Sequence, residues 1–592
     1  MSVVAAIIQA RMGSTRFPGK SLYPVAGKPL IWHLIHRLKQ ARAVTHVCVA
    51  TTTDPSDDPL AAYAAEQGAV VVRGSVDNVL ERYLTAARRL DAEVVIRVTG
   101  DSPLVAPDII DAMVERLLEA DADNICGDGS PQAVIDEGYT VVSRRLLERI
   151  GVEGADDPAA REHVTYYASL HPELGRAVSF RFPVSHEFSG GRISVDTPAD
   201  VALIEALYAE TGVPAGELGI PQVVELLRRR PDLVAINAHV RQKGGDEVTR
   251  KALFRCDGGA RLGLGHVMRC LNVARELRDR HSWGVRFAMA GEEVARRLVE
   301  QQGFGVAEVT EAGAMDALVA RWAPDVLMVD LRDDTGPEVL RGWRRSVKVL
   351  AVLDDGSDRR LAADLAFYPP VPQVAALTFA PQTQVLAGWE WLPVARPHLP
   401  VTRTQSAVPR LLVCMGGADP ADLTGRAVSI LAGLEAAFEA TVVVGAAYGR
   451  REALAARLAE LGPRFRLEVA VPDLVARLPA FDLALASFGT IAHELAMMAV
   501  PMVLLGLTDD HVLSASALAA AGAAMVLGVH DRVADVEVAD AVSGLLADPA
   551  RRERMAAAGA ALIDGDGACR VAQRLAQAVV NNVSVQEKAV TS

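Results

Sequence analysis

The sequence predicts an α/β protein made of several layered, Rossmann-like units, and three observations carry that expectation. Short apolar runs alternate with longer helix-like stretches, the pattern of parallel strands covered by helices on both faces. At 592 residues the chain exceeds what one hydrophobic core organises, so about three to five compact units are expected. Half of the residues are hydrophobic and only 5% aromatic, which suits layered α/β domains and excludes disordered or fibrous classes.

The elements follow in order. Residues 3–8 form a continuous apolar run, expected to be a strand buried on both faces, and a Gly-bearing loop follows it. A helix is expected over 29–41, with further strands at 44–50, 69–72 and 93–98. The periodicity fades near 235, and the polar, Gly-bearing stretch 241–250 is the expected linker after a first domain at 1–240. A strand at 252–256 opens a second series, continued at 326–329, 349–353, 410–415, 441–444, 483–486 and 502–505. Prolines between 393 and 409 favour an extended connection, giving lobes at 251–400 and 401–582 and a polar tail at 583–592.

Charge and cysteines narrow the class. A formal net charge of -13 without an evident basic face argues against nucleic acid as a partner. Cys48, Cys126, Cys256, Cys270, Cys414 and Cys569 are dispersed without C-x-x-C pairing, so neither a zinc cluster nor a disulfide framework is expected, and a reducing cytoplasm fits best. The beginning of the chain lacks a basic leader and a membrane-length apolar span, so Met1 is read as the mature start with no membrane partner; a homo-oligomer is left open.

Between the first strand and the first helix lies Arg11-Met12-Gly13-Ser14-Thr15-Arg16-Phe17-Pro18-Gly19-Lys20. Glycines let backbone N–H groups approach phosphate oxygens, and arginine and lysine supply charge-assisted bonds, so the loop suits a triphosphate; a basic surface turn is the plain alternative. The spacing is not that of an ATPase phosphate loop. Asp101 follows one strand and Asp196 is expected at the end of another, where crevices form in such sheets. Singly, Asp101 could cap a turn and Asp196 the helix at Pro198; together they suggest a magnesium pair.

With Val72-Arg73-Gly74-Ser75, Thr99-Gly100-Asp101-Ser102-Pro103-Leu104, Arg161-Glu162-His163-Val164-Thr165 and Val195-Asp196-Thr197-Pro198, these motifs resemble the cytidylyltransferases that activate acidic sugars. That family includes the acylneuraminate, 3-deoxy-manno-octulosonate and spore-coat-polysaccharide types. The resemblance implies attack of a sugar hydroxyl on the α-phosphate of CTP, with Arg11, Gly13, Ser14, Arg16 and Lys20 on the phosphates, Arg11 and Lys20 catalytic, and Asp101 and Asp196 on Mg2+. Arg73 or Arg97 would lie near the nucleotide or sugar. Where relatives often have Asp-Val-Glu, this chain has Glu137-Gly138-Tyr139, which bears on sugar specificity.

The second series carries Asp257-Gly258-Gly259-Ala260-Arg261-Leu262-Gly263-Leu264-Gly265-His266-Val267-Met268-Arg269 after its first strand. A Gly-rich turn at a helix start favours anions, and His266 there suits a general base or phosphate donor, against an ordinary helix-start histidine. Cys414-Met415-Gly416-Gly417-Ala418-Asp419-Pro420 and Ser487-Phe488-Gly489-Thr490-Ile491-Ala492-His493-Glu494 are small-residue turns, the second with a carboxylate one turn into its helix that suits ribose hydroxyls or the helix dipole. This ensemble, with Leu353-Asp354-Asp355, resembles the UDP-sugar hydrolase of pseudaminic acid biosynthesis and the glycosyltransferase-B architecture. It implies a two-lobed module with Gly265, Gly416, Gly417, Gly489, Thr490 and Glu494 on a UDP-sugar, His266 activating water, and no metal. Asp509-Asp510-His511 and Phe488 with His493 depart from the usual residues.

The expectation is thus a bifunctional enzyme of nonulosonic (pseudaminic or legionaminic) acid biosynthesis, with CTP, an acidic sugar and a UDP-sugar as small-molecule partners. A glycosyltransferase or a non-catalytic nucleotide-binding module stands as the alternative for the second half.

Overall fold

The computed structural model describes residues 2–127, 135, 138–242, 249–259, 262–394, 397, 408–417, 419, 421–445, 448–471 and 473–590. Glu137, Ala260, Arg261, Ala418, Pro420, most of the two expected connections and the last two residues of the tail lie outside them. The chain divides into two compact units, Met1–Thr249 and Arg250–Ser592.

The first unit is built on a seven-stranded sheet. Its strands are β1 (Val4–Gln9), β2 (His46–Thr52), β3 (Val70–Gly74), β4 (Val94–Thr99), β5 (Asn124–Gly127), β6 (Tyr139–Ser143) and β7 (Ala177–Phe180), in the order β3-β2-β1-β4-β6-β5-β7. β1 is apolar without alternation because it pairs in parallel with β2 and β4 and is buried on both faces. The helix expected over 29–41 is shorter, α1 (Leu30–Leu38), and covers one face; α2 (Val79–Arg89) covers the other. There the buried Tyr83 donates its hydroxyl to Ile7 O at 3.0 Å.

Beyond β4 the sheet departs from simple β/α alternation, since β6 runs antiparallel to it. Its entry is tight: Thr99 donates to Gly138 O at 2.8 Å, and a Cβ at Gly138 would fall 1.8 Å from Ser102 Oγ. The parallel strands β1 and β4 nevertheless end side by side, so the loop 10–20 and the turn at Asp101 share one edge of the sheet.

The second unit has two parallel sheets. The first contains β8 (Lys251–Cys256), β9 (Gly284–Met289), β10 (Gly305–Glu308), β11 (Val326–Asp330), β12 (Val349–Leu353), β13 (Leu365–Tyr368) and β14 (Gln384–Ala387), in the order β10-β9-β8-β11-β12-β13-β14. The second contains β15 (Arg410–Cys414), β16 (Glu439–Val444), β17 (Phe465–Val469), β18 (Leu483–Ser487), β19 (Met502–Gly506) and β20 (Met525–Val529), in the order β17-β16-β15-β18-β19-β20. In each, the first strand is central and the order reverses beside it, the point where open α/β sheets form a ligand crevice. The α/β class and the two-lobed architecture expected from the sequence are those observed.

Helices complete the crevices. α3 (Pro198–Thr211) closes the first unit's site, α4 (Gly265–Asp279) follows β8, and α5 (Thr490–Met497) follows β18. The final helix, α6 (Gly567–Val590), leaves the second lobe and returns to the first, burying Ala568, Val571, Ala572, Leu575 and Val579 in that lobe's core. No helix among the described residues is long and apolar enough to cross a membrane.

The start of α6 leaves no room for a side chain, because a Cβ on Gly567 would lie 1.8 Å from Leu392 O. Gly567→Ala should therefore strain the return of α6 and destabilise the second unit by about 1–3 kcal/mol, read as a lower urea midpoint for that unit.

Candidate active sites

In the first unit, the loop after β1 is shaped by an anchor and a turn. Phe17 is buried in the core against Tyr23, with ring centroids 4.9 Å apart. Gly19 adopts φ +77°, a conformation that favours glycine, and donates to Met12 O at 2.9 Å, which turns Lys20 inward. The buried Asp57 holds the start of the loop by accepting from Met12 N–H at 2.6 Å, while it also takes Thr51 Oγ1–H at 2.9 Å. A Cβ at the exposed Gly13 would meet nothing within 4 Å, so its surroundings are open.

Two of the loop's cations, Lys20 and Arg16, converge on Asp196. Lys20 Nζ lies 3.0 Å from Asp196 Oδ1, 3.5 Å from Asp101 Oδ2 and 2.8 Å from Val195 O. Asp196 Oδ2 is 2.8 Å from Arg16 Nη2 and 3.3 Å from Arg192 Nη1. Burial opposes the Asp196 charge, but Lys20, Arg16 and Arg192 outweigh it and hold the carboxyl well below the usual range. Burial likewise works against the Lys20 ammonium, and Asp196 with Asp101 reverses this to raise its pKa.

Two expectations about Asp196 are corrected here. Asp196 does not end a strand: it follows an extended stretch outside the sheet, tied by Val195 N–H to Asp101 O at 2.7 Å. Nor does it cap α3, whose capping box is Thr197 with Asp200. Arg73 donates to Thr52 O at 2.7 Å, Asp54 O at 2.9 Å and Asp58 at 2.6 Å. Arg97 has a buried Nε without a hydrogen-bond partner among the described residues. Arg192, Asp200 and Asn237 were not singled out in the sequence. Asp200 pairs with Arg192 and accepts from Asn237 Nδ2 at 2.9 Å, bringing a residue 41 positions beyond Asp196 into the support of the site.

Magnesium suits the donor chemistry. Two hard carboxylate oxygens, from Asp101 and Asp196, point at one position, now taken by Lys20 Nζ. A pair of carboxylates with remaining ligands from phosphate oxygens and water is the ordinary magnesium arrangement.

In the second unit a cleft of about 1770 Å³ opens between the lobes. His266, at the first turn of α4, lies 2.9 Å through Nδ1 from Asp330 Oδ1 at the end of β11. A carboxylate only accepts, so the proton of that bond sits on Nδ1, which also lies 3.1 Å from Arg269 Nη2. Arg269, one turn on, contacts Asp330 at 2.5 and 2.7 Å and Asp354 at 2.8 Å. Burial raises the Asp330 pKa, yet Arg269 and His266 prevail and keep it well below the usual carboxylate range. Asp330 was not recognised in the sequence because it ends a run, Val-Leu-Met-Val-Asp, that looks like core.

The glycine turns flank the same cleft. A Cβ on Gly265 would lie 3.1 Å from Thr490 Oγ1, so the first turns of α4 and α5 meet there. Gly416 has φ +90°, and Gly417 packs so closely on Gly445 that a Cβ at Gly445 would be 2.2 Å from Gly417 O. Asp419 is structural, accepting from Leu423 N–H at 2.9 Å and Thr424 N–H at 2.8 Å. His493 stands between Trp389 and Phe488, and burial lowers its pKa to about 4. Burial, aided by Asp473, raises Glu494 to about 7.

The family model for cytidylyltransferases matches residues 5–209. Over 236 residues the chain is 34% identical to the spore coat polysaccharide biosynthesis protein SpsF of Bacillus subtilis, covering 39% of this chain and 97% of that protein. Over 245 residues it is 42% identical to a 3-deoxy-manno-octulosonate cytidylyltransferase of Anaeromyxobacter dehalogenans, covering 35% of this chain and 99% of that enzyme. Among solved structures, MurG of Acinetobacter baumannii aligns with 17% identity and a TM-score of 0.41, covering 55% of this chain and 99% of MurG.

The raised Glu494 pKa has a stability consequence with a defined sign. A carboxyl whose folded pKa lies above its ordinary 4.5 stabilises the fold below that pH, and the contribution is lost as pH rises through about 7. The urea midpoint of the second unit should fall between about pH 4.5 and 7 and level off above, and Glu494→Gln should flatten that dependence.

Proposed function

The chain belongs to the cytidylyltransferase family through its first unit, and from that premise we propose a bifunctional enzyme of nonulosonic acid biosynthesis. The first unit would transfer the cytidylyl group of CTP to an acidic sugar of the pseudaminic or legionaminic kind. The second would hydrolyse a UDP-linked diacetamido-trideoxyhexose. The observation that supports the first reaction is the convergence of Arg16 and Lys20 with Asp101 and Asp196 at the end of the β1 loop.

In cytidylyl transfer the sugar hydroxyl releases its proton to solvent as its oxygen bonds to the α-phosphorus, the bond from that phosphorus to the oxygen shared with the β-phosphate breaks, and pyrophosphate leaves. The open backbone at Gly13 and Ser14, with Arg11, Arg16 and Lys20, would hold the triphosphate and neutralise charge as it shifts to pyrophosphate. Asp101 and Asp196 would hold Mg2+, which supplies further neutralisation of the phosphate oxygens. Arg192 keeps Asp196 in place and is itself fixed by Asp200.

For the second reaction the supporting observation is the His266–Asp330 pair in the interlobe cleft. His266 Nε2 would take a proton from water as its oxygen bonds to the anomeric carbon and the bond to UDP breaks. Asp330 stabilises the imidazolium that results, and the paired first turns of α4 and α5 would receive the diphosphate. Gly416, Gly417 and Gly489 would leave room for the nucleotide, and Glu494 would accept from ribose hydroxyls. The two reactions are not consecutive, because the freed hexose must gain three carbons before it becomes an acidic substrate for CTP. A cytoplasmic location fits soluble substrates of both kinds.

Two substitutions separate the activities in the full chain. Asp101→Ala should lower magnesium-dependent pyrophosphate release from CTP and acidic sugar by about 10²-fold or more and leave UDP release unchanged. His266→Ala should lower UDP release by about 10²–10⁴-fold with cytidylyl transfer intact. Full pyrophosphate release by Asp101→Ala would sink the first assignment. UDP release by wild type only when a sugar acceptor is supplied would replace hydrolysis with glycosyl transfer.

A further inference from the structure

We infer that Lys20 is an internal substitute for the metal: its ammonium fills the position between Asp101 and Asp196 when substrate is absent, and leaves it for phosphate when nucleotide and metal enter together. The inference rests on the reading that these two carboxylates hold the metal, and it concerns how the site is kept before they do.

The geometry is that of a cation site already occupied. Lys20 Nζ is within 3.5 Å of oxygens from both carboxylates and is also fixed by Val195 O at 2.8 Å. Arg16 and Arg192 pair with the other oxygen of Asp196, Arg192 with Asp200 as well, and among the described residues neither forms an ion pair with Asp101, so neither bridges the two. Gly19 turns the chain by its positive φ at the residue before Lys20, which makes the lysine's placement a property of the loop.

Charge explains why the exchange needs nucleotide. Lys20, Arg16 and Arg192 face Asp101, Asp196 and Asp200, so the cluster is formally balanced. A divalent ion entering alone would meet an ammonium on its own position and leave an uncompensated double charge in a largely buried site. A triphosphate reverses both effects: it brings the negative charge that the metal requires, and its oxygens give Lys20 a new partner. Metal alone is therefore bound weakly, and metal with CTP is bound well.

Binding of Mn2+, followed by electron paramagnetic resonance with no nucleotide present, reads this without turnover. Lys20→Met and Lys20→Gln should each bind Mn2+ about tenfold or more tightly than wild type, with Lys20→Gln retaining a donor for Val195 O in case the first variant folds poorly. Arg16→Met removes a cation from Asp196 without vacating the shared position and should gain about threefold at most. Adding Asp101→Asn to Lys20→Gln should abolish the gain. Affinity of both Lys20 variants equal to wild type, or no greater than that of Arg16→Met, overturns the substitution. If Asp101→Asn alone binds Mn2+ in the presence of CTP as tightly as wild type does, the assignment of the carboxylates to the metal fails instead.

Discussion

A carboxylate as enclosed as Asp196 must be matched by cations, and the shape of the first unit's site follows from how that demand is met. An unpaired buried charge costs several kcal/mol, so the cations around Asp196 are constrained in position. Lys20 and Arg16 come from the loop after β1, and Arg192 comes from the segment before α3, so one carboxylate ties two distant stretches together. The tie also brings Asp101 into reach, because Val195 is bonded to the backbone of Asp101. A loop built from glycines and small hydroxyls would otherwise sample many conformations; here its cations are already gathered where phosphate charge is expected.

The second unit answers a similar constraint with different chemistry. Asp330 is buried at the end of a central strand and is balanced by Arg269 and His266. The arginine is the larger of the two compensating cations, and the carboxylate also orients the histidine. Strand ends beside a reversal of strand order supply such positions, since a carboxylate there is half in the sheet and half in the crevice. α6 then ties the second lobe back to the first.

The class, eleven of the twenty sheet strands and the main loops were legible because they depend on local pattern, whereas β5, β6, β7, β9, β10, β13, β14, β17 and β20 were not expected. Strand 349–353 was placed at its observed limits, and others differed by one or two residues, since a continuous apolar run declares a doubly buried strand. The motif residues Arg16, Lys20, Asp101 and Asp196 do meet, as do the turns at Gly265 and Thr490. What escaped depends on long-range packing. The antiparallel β6 follows residues that interrupt the alternation; Asp330 is hidden in an apolar run; and Asn237 reaches the site through Asp200. None of these has a period or spacing that announces it.

The most direct measurement is a phosphorus-31 magnetic resonance time course of the full chain with CTP, Mg2+ and a nonulosonic acid. Growth of a single phosphodiester resonance from the CMP-sugar, matched by pyrophosphate and by loss of CTP, is the predicted result. Persistence of CTP with every acidic sugar, while another nucleoside triphosphate or a neutral sugar is consumed, would contradict the account.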